Sequence, residues 1–318
     1  MSSRIDVHTH YLGGAVEQLF ASGFSLAGGF KMSVRWTPQA ALDYMDRLGI
    51  RTQILSAPWT ITGTEQDPDL AGRFTRQLNE EYAELIAQYP GRFGAFAALP
   101  GDSPEAMLEE LEYALDTLHL DGVLLTSNVD GHYLGSDWYE PVLAELGRRR
   151  VPVFLHPADS PVMVEQFGFG RPSSVCEFPF DTARNVINGI YRGAFQRYPG
   201  LKLILAHCGG ALPTLGWRIA AHTVATGPDD ADIDAQHVAG VLRGLYYETA
   251  LAGSRNSLLP TLEVTGPDHI LFGTDWPAAP EPMAVRNAEE LMKSDVFTDA
   301  QLADVESGNA KLLFPRLA

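Results

Sequence analysis

Lysine is scarce in this 318-residue sequence: only Lys31, Lys202, Lys293 and Lys311 occur, and all basic side chains together number 23 against 40 Asp and Glu. The resulting formal charge of -17 excludes binding to a phosphate backbone or an anionic membrane as a main activity, because both surfaces would repel it. Cysteine is scarcer still. Cys176 and Cys208 are too few for a disulfide scaffold and stand in no zinc-finger spacing. Both are expected as free thiols, and Cys208 as a small buried residue, because no base and orienting group accompany it. No apolar run reaches the roughly 18 residues that a spanning helix needs. The opening MSSRIDVHTH lacks the basic and apolar stretches of a secretory leader, so a soluble cytoplasmic protein is expected. Linker-like, low-complexity and repeated segments are absent too, which leaves one domain over residues 1–318 as the expected organisation.

What the sequence does contain is alternation. Eight short apolar, β-branched runs stand at 4–7, 52–57, 92–97, 122–126, 152–156, 202–207, 246–249 and 269–273. Longer segments of helical periodicity separate them, near 37–48, 68–89, 103–118, 138–150, 181–198, 211–226, 234–243, 254–265 and 281–294. Thr37-Pro38 and Ser103-Pro104 supply an N-cap residue followed by proline at the first helical position. Strand and helix in strict alternation predict a parallel α/β sheet, and eight repeats predict a closed (β/α)8 barrel of the TIM type. The irregular stretches 11–36 and 157–180 follow strands and belong on the active-site face, and 298–314 reads as a C-terminal helix packed outside the barrel.

Histidine falls where barrel chemistry needs it. His8 and His10 close the first run, His156 the fifth and His207 the sixth, and Asp275 lies just past the eighth. Side chains two apart on a strand share a face, so His8 and His10 can reach one ion together. In a parallel barrel all C-terminal strand ends converge on one mouth. Three imidazoles and a carboxylate suit Zn2+, with Mn2+ as an alternative. Taken alone, His-x-His is weak evidence, and Asp275 in Asp-Trp-Pro could equally cap a helix.

The segments IDVHTH, FLHP, AHCGGALP, LFGTDWP and SGNAKLLF, spread over nearly the whole chain, together resemble the amidohydrolase superfamily, in its branch of metal-dependent non-oxidative decarboxylases. Within that branch the likeness is to the aminocarboxymuconate semialdehyde decarboxylases and, along DGVLLTSNVDGHYLGSDWYEPVLAEL, to the 6-methylsalicylate decarboxylases. The resemblance implies His8, His10, His156 and Asp275 as metal ligands, with His207 beside the metal as an acid, base or substrate-orienting group. Binuclear members of the superfamily need a bridging lysine at the end of the fourth strand; here that strand ends Leu125-Thr126-Ser127-Asn128, so one ion and no organic cofactor are expected.

Arg218, eleven residues after His207, matches the offset at which aminocarboxymuconate decarboxylases carry an arginine that grips substrate carboxylate across a subunit boundary. A homodimer would follow, and a planar guanidinium suits the task. Tyr11, Trp59, Phe178 and Trp276 adjoin strand ends and could wall a pocket for a flat acid, although aromatics at such positions are as often packing residues. His132 lies in the loop after the fourth strand, and Arg35 at the end of the first long loop, where either could touch substrate.

The resemblance implies removal of CO2 from an aromatic or unsaturated carboxylic acid of hydroxybenzoate type, with Asp275 or His207 delivering a proton to the ring carbon. The same residues could instead hydrolyse a lactone, ester or amide, with Asp275 taking a proton from water and His207 polarising the carbonyl. A free carboxylate on the reacting carbon separates the two chemistries.

Overall fold

The computed structural model describes residues 4–21, 35–161, 171–226 and 233–317. Eight strands follow one another around a single sheet in chain order: β1 (Arg4–His10), β2 (Ile50–Ser56), β3 (Phe93–Ala97), β4 (Gly122–Thr126), β5 (Pro152–His156), β6 (Lys202–Leu205), β7 (Tyr246–Glu248) and β8 (Ile270–Leu271). Every adjacent pair is parallel. Parallel neighbours need long crossovers, and helices supply them. β8 is two residues long, so the seam with β1 is closed beyond it, by Val7 N donating to Phe272 O (3.0 Å), Asp275 N to His8 O (2.8 Å) and His10 N to Trp276 O (2.8 Å).

Around the barrel run α1 (Gly14–Ala21), α2 (Pro38–Leu48), α3 (Leu70–Gln88), α4 (Pro104–Glu112), α5 (Glu140–Arg149), α6 (Glu177–Tyr191), α7 (Ala194–Arg197), α8 (Leu212–Thr226), α9 (Ala235–Gly244), α10 (Arg255–Val264) and α11 (Glu281–Met292). Two of the expected starts are capped as their sequence requires: Thr37 Oγ1 accepts from Ala40 N and Ser103 Oγ from Ala106 N, both at 3.1 Å. α2 then stops at Gly49, whose φ of 67° is open to a residue without Cβ.

The structure differs from the sequence reading at four places. The loop expected at 11–36 opens with α1, which packs Ala15, Val16 and Leu19 inward; residues 22–34 and 162–170, the middles of the two long loops, lie outside the described residues. The helix expected over 103–118 widens into a π turn over Tyr113–Thr117, and the one over 181–198 starts earlier, at Glu177, and divides into α6 and α7. The C-terminal segment divides into α12 (Asp299–Ala303), which buries none of its residues, and α13 (Asn309–Leu313), which turns inward. Ala310, Leu313, Phe314 and Leu317 join Ile5, Val7, Ile54, Phe96, Leu124, Phe154, Ile204 and Leu271 in one apolar cluster, so the tail plugs the barrel end opposite the mouth.

One irregularity in β1 aims the site. Asp6 stands opposite Gln53 and Thr9 opposite Leu55, so three residues of β1 advance against two of β2, which is a bulge. Ile5 and Val7 pack inside the barrel, and within the bulge the next residue, His8, faces inward as well, its ring 4.8 Å from that of Phe154.

Candidate metal centre

His8, His10 and His156 each place a ligating atom within 4.8 Å of the others, and His8, His207 and Asp275 do the same. The two groups share His8, so five side chains from β1, β5, the β6 turn and the segment after β8 surround one point at the mouth. Asp275 Oδ1 lies 3.0 Å from His10 Nε2 and 3.4 Å from His8 Nε2, and those two nitrogens are 3.1 Å apart. Two backbone conformations make this possible. His207, in the turn Ala206–Gly209, has φ 54°, and Asp275 has φ 63°. A side chain in that left-handed region costs about 1–3 kcal/mol and persists where its surroundings impose it.

The imidazole tautomers follow from their far nitrogens. His8 Nδ1 meets Glu248 Oε1 at 2.8 Å, and that carboxylate already accepts from the backbone N–H groups of His207 and Ala250. His10 Nδ1 meets Ser56 Oγ at 3.2 Å, whose hydroxyl proton goes to Thr9 O. His207 Nδ1 donates to Ala250 O at 2.8 Å. All three Nδ1 atoms therefore carry hydrogen, and the Nε2 lone pairs of His8 and His10 point at each other and at Asp275. A set of nitrogen and oxygen lone pairs, with the imidazoles of His8, His10 and His207 anchored from behind, fits a divalent cation.

Charge is controlled by burial. Burial drives the imidazoles of His8 and His156 well below the usual histidine range, helped by the neighbouring histidines. Burial also pushes Glu248 up to about 7 and Asp6 up to about 8. Asp275 moves the other way: burial would raise it, but His8, His10 and His207 outweigh that and hold its carboxyl low.

A family model described as amidohydrolase matches residues 5–316, nearly the whole length over which these strands and ligands are spread. The chain belongs to the amidohydrolase family. A 6-methylsalicylic acid decarboxylase of Penicillium expansum is 32% identical to it over 318 residues, covering 99% of this chain and 97% of that protein. Among solved structures, a dihydroxybenzoic acid decarboxylase from Polaromonas sp. JS666, with bound manganese and the inhibitor 2-nitroresorcinol, matches at 25% identity with a TM-score of 0.82. It covers 99% of this chain and 97% of that one. A 2,6-dihydroxybenzoate decarboxylase complexed with 2,6-dihydroxybenzoate matches at 26% identity and TM-score 0.80, covering 99% and 100%. This amidohydrolase is thus an enzyme of the metal-dependent decarboxylase branch.

In this amidohydrolase the substrate residues expected from sequence scatter more than the five clustered side chains do. Tyr11 lies on the other side of the strand from the cluster: its parity is opposite to that of His8 and His10, its phenol donates to Glu81 Oε2 at 2.8 Å, and its ring packs on Trp36 and Tyr82. Trp276 is likewise a packing residue, stacked on Tyr44 with ring centroids 4.6 Å apart and buried. His132 stacks on Trp138 at 4.9 Å and brackets a tight turn with Val129; the cluster does not include it. Trp59 is half-buried after β2 against Phe20, and Phe178 lies in the first turn of α6. Arg35 stands 3.6 Å from Glu17. Arg218 is exposed on α8 beside Trp217.

Two buried acids went unread. Glu248 anchors His8 and the His207 backbone, and Asp6 accepts from Thr274 Oγ1 (2.7 Å), Thr274 N (3.0 Å), His8 N (3.2 Å) and Gln53 Nε2 (3.3 Å), stitching the seam below the histidines. The one available signal was an acid inside an otherwise apolar run. At the end of β4, Ser127 Oγ is bonded to Asp181, and no described lysine ends a strand.

Proposed function

We propose that this amidohydrolase releases CO2, without a redox cofactor, from a hydroxybenzoate-like carboxylic acid such as a 6-methylsalicylate. The single domain would hold one divalent ion on His8, His10, His156 and Asp275. The observation that carries this reading is the convergence of His8, His10, His156, His207 and Asp275 on one point, in a chain whose relatives are aromatic-acid decarboxylases. When bound, the ion supplies a Lewis acid for the substrate's carboxylate or adjacent hydroxyl. Three imidazoles and a carboxylate favour zinc; manganese, the ion of the Polaromonas relative, is the alternative, and reconstitution with each separates them by rate.

Breaking the bond to CO2 requires a proton at the ring carbon that bears it. His8 and His10 are sealed, whereas the side chains of Asp275 and His207 are 12% and 15% exposed, so the proton comes from one of these two. Asp275 Oδ1 is committed to the histidines and its carboxyl is held low, so Oδ2 would carry the proton only in transit. His207, its Nδ1 fixed by Ala250, offers Nε2. Trp59 is assigned to the pocket wall. Arg218 forms no hydrogen bond or ion pair with another described residue, and its neighbour Trp217 is 83% exposed. Both features support a homodimer in which Arg218 grips substrate in the partner subunit. No helix among the described residues is long and apolar enough to cross a membrane, in keeping with a cytoplasmic enzyme.

The test is incubation of ion-loaded protein with a panel of hydroxybenzoates, 6-methylsalicylate and 2,6-dihydroxybenzoate included, while CO2 is followed. Release from at least one ortho-hydroxy acid is expected. Turnover confined to lactones, esters or amides would overturn the reading.

A further inference from the structure

Asp181, on α6, is fully buried and takes hydrogen bonds from four side chains: Ser127 Oγ (2.5 Å), Arg184 Nη1 (2.6 Å), Tyr133 Oη (2.7 Å) and Asn128 Nδ2 (2.8 Å). Four donors saturate both oxygens of a carboxylate. Such an assembly in the interior is strong when complete and costly when broken. Where three of these donors lead is the telling feature. Ser127 Oγ accepts from Ala158 N (2.9 Å), Asn128 Nδ2 also donates to Asp159 O (3.0 Å), and Arg184 Nη1 also donates to Ser160 Oγ (3.1 Å). Three consecutive residues of the segment that leaves His156 are therefore each held by a different side chain, and all three side chains are oriented by the same carboxylate. Ser127 completes the link from the strand side, its N–H donating to His156 O at 2.8 Å.

His156 needs this support more than its neighbours do. The Nδ1 atoms of His8 and His10 are set by the side chains of Glu248 and Ser56. No described side chain partners His156 Nδ1. Its ring direction depends on the backbone at the end of β5 and on the residues just after it.

We propose that Asp181 is a positioning residue for the metal centre, fixing residues 157–160 through Ser127, Asn128 and Arg184 and thereby aiming His156 at the shared ligand point. This rests on the ligand assignment above but not on the reaction.

The experiment compares wild type with Asp181→Asn and Ser127→Ala in the full chain, reading the dissociation constant for Mn2+ by chelator competition and amide exchange at Ala158 and Ser160. Glu110→Gln serves as a control: Glu110 is a buried carboxylate hydrogen-bonded to Asn79 and Arg76 on α3, so it reports loss of stability alone. Asp181→Asn is expected to weaken Mn2+ binding by about tenfold, the lower end for residues that orient ligands from behind, and to speed exchange at Ala158 and Ser160. Ser127→Ala, which removes one of the three links, should raise the dissociation constant about threefold and speed exchange at Ala158. Glu110→Gln should lower the unfolding midpoint without moving the Mn2+ constant. If Asp181→Asn does not fold, Ser127→Ala decides. Mn2+ affinity and exchange within twofold of wild type in a folded variant, or an equal loss of affinity in Glu110→Gln, overturns the proposal. Wild type that binds Mn2+ yet releases no CO2 from any acid removes the decarboxylase reading and leaves this one standing.

Discussion

At the residue scale, the clustering of His8, His10, His156, His207 and Asp275 was legible because each stands at or just past the end of an apolar run, and strand ends of a parallel barrel share one mouth. Glu248 was not legible. A buried acid in YYET changes neither the period nor the turn chemistry, and its importance arises only when β7 sets it behind His8. The packing of Tyr11 and Trp276 was hidden for a related reason: nearness in sequence to a clustered histidine or Asp275 says nothing about which side of the strand a ring takes, and one step in parity turns Tyr11 toward Trp36 and Tyr82. Glu248 also yields a prediction. Its Oε2 accepts from Ala250 N at 2.6 Å, so Glu248→Gln must turn an amide NH2 either toward that N–H or toward the N–H groups of His8 and His207. Residues that orient ligating histidines are worth about 10–100-fold in metal affinity, and a rise of that size in the Mn2+ dissociation constant is expected by chelator competition. An unchanged constant would show that His8 needs no anchor.

At the element scale, all eight strands fall within the expected runs or a few residues of them, since apolar β-branched runs bounded by helical segments have few other readings. What escaped notice depended on chain-to-chain contact. α1 begins at Gly13-Gly14, where glycines read as loop, yet Glu81 on α3 accepts from Ala15 N (2.9 Å) and Tyr11 Oη and so supplies a helix start from outside. The β1 bulge is equally silent, because it exists only as a mismatch in register with β2. α5 carries a prediction that the sequence alone supports in part: Glu145 faces Arg148 and Arg149 one turn on. The hydrogen bond from Arg148, with Arg149 adding to it, lowers the Glu145 carboxyl to about 2 from an ordinary 4.5. A carboxyl depressed in the folded state contributes stability above its unfolded value, and that contribution fades as pH falls from about 4.5 toward 2. In urea unfolding, Glu145→Gln should be less stable than wild type at pH 7, and the gap should narrow below pH 4.5. A gap that stays constant down to pH 3 would mean the charge of Glu145 contributes nothing.

At the scale of the whole molecule, the barrel separates two tasks between its ends. The mouth gathers acceptors, strained backbone and buried acids, all of which cost stability. The opposite end is a sealed apolar layer, where Phe314 meets Phe96 at 5.7 Å between ring centroids and lies beside Leu313, Leu317 and the inner residues of β1. The C-terminal residues read from sequence as an amphipathic helix on the outside; a helical period cannot say which apolar surface it will cover, and the open barrel end was the larger one. If the plug stabilises the barrel on which the ligands stand, then Phe314→Ala, the loss of a ring that is 2% exposed, should cost about 3–5 kcal/mol, the range for deleting a buried aromatic side chain. Because the deletion lies at the far end, the folded fraction should keep its Mn2+ affinity. Urea unfolding of the variant, run beside chelator competition, checks both halves. A loss below about 1 kcal/mol would show that the barrel closes without its tail, and a matching loss of Mn2+ affinity would show that its two ends are not independent.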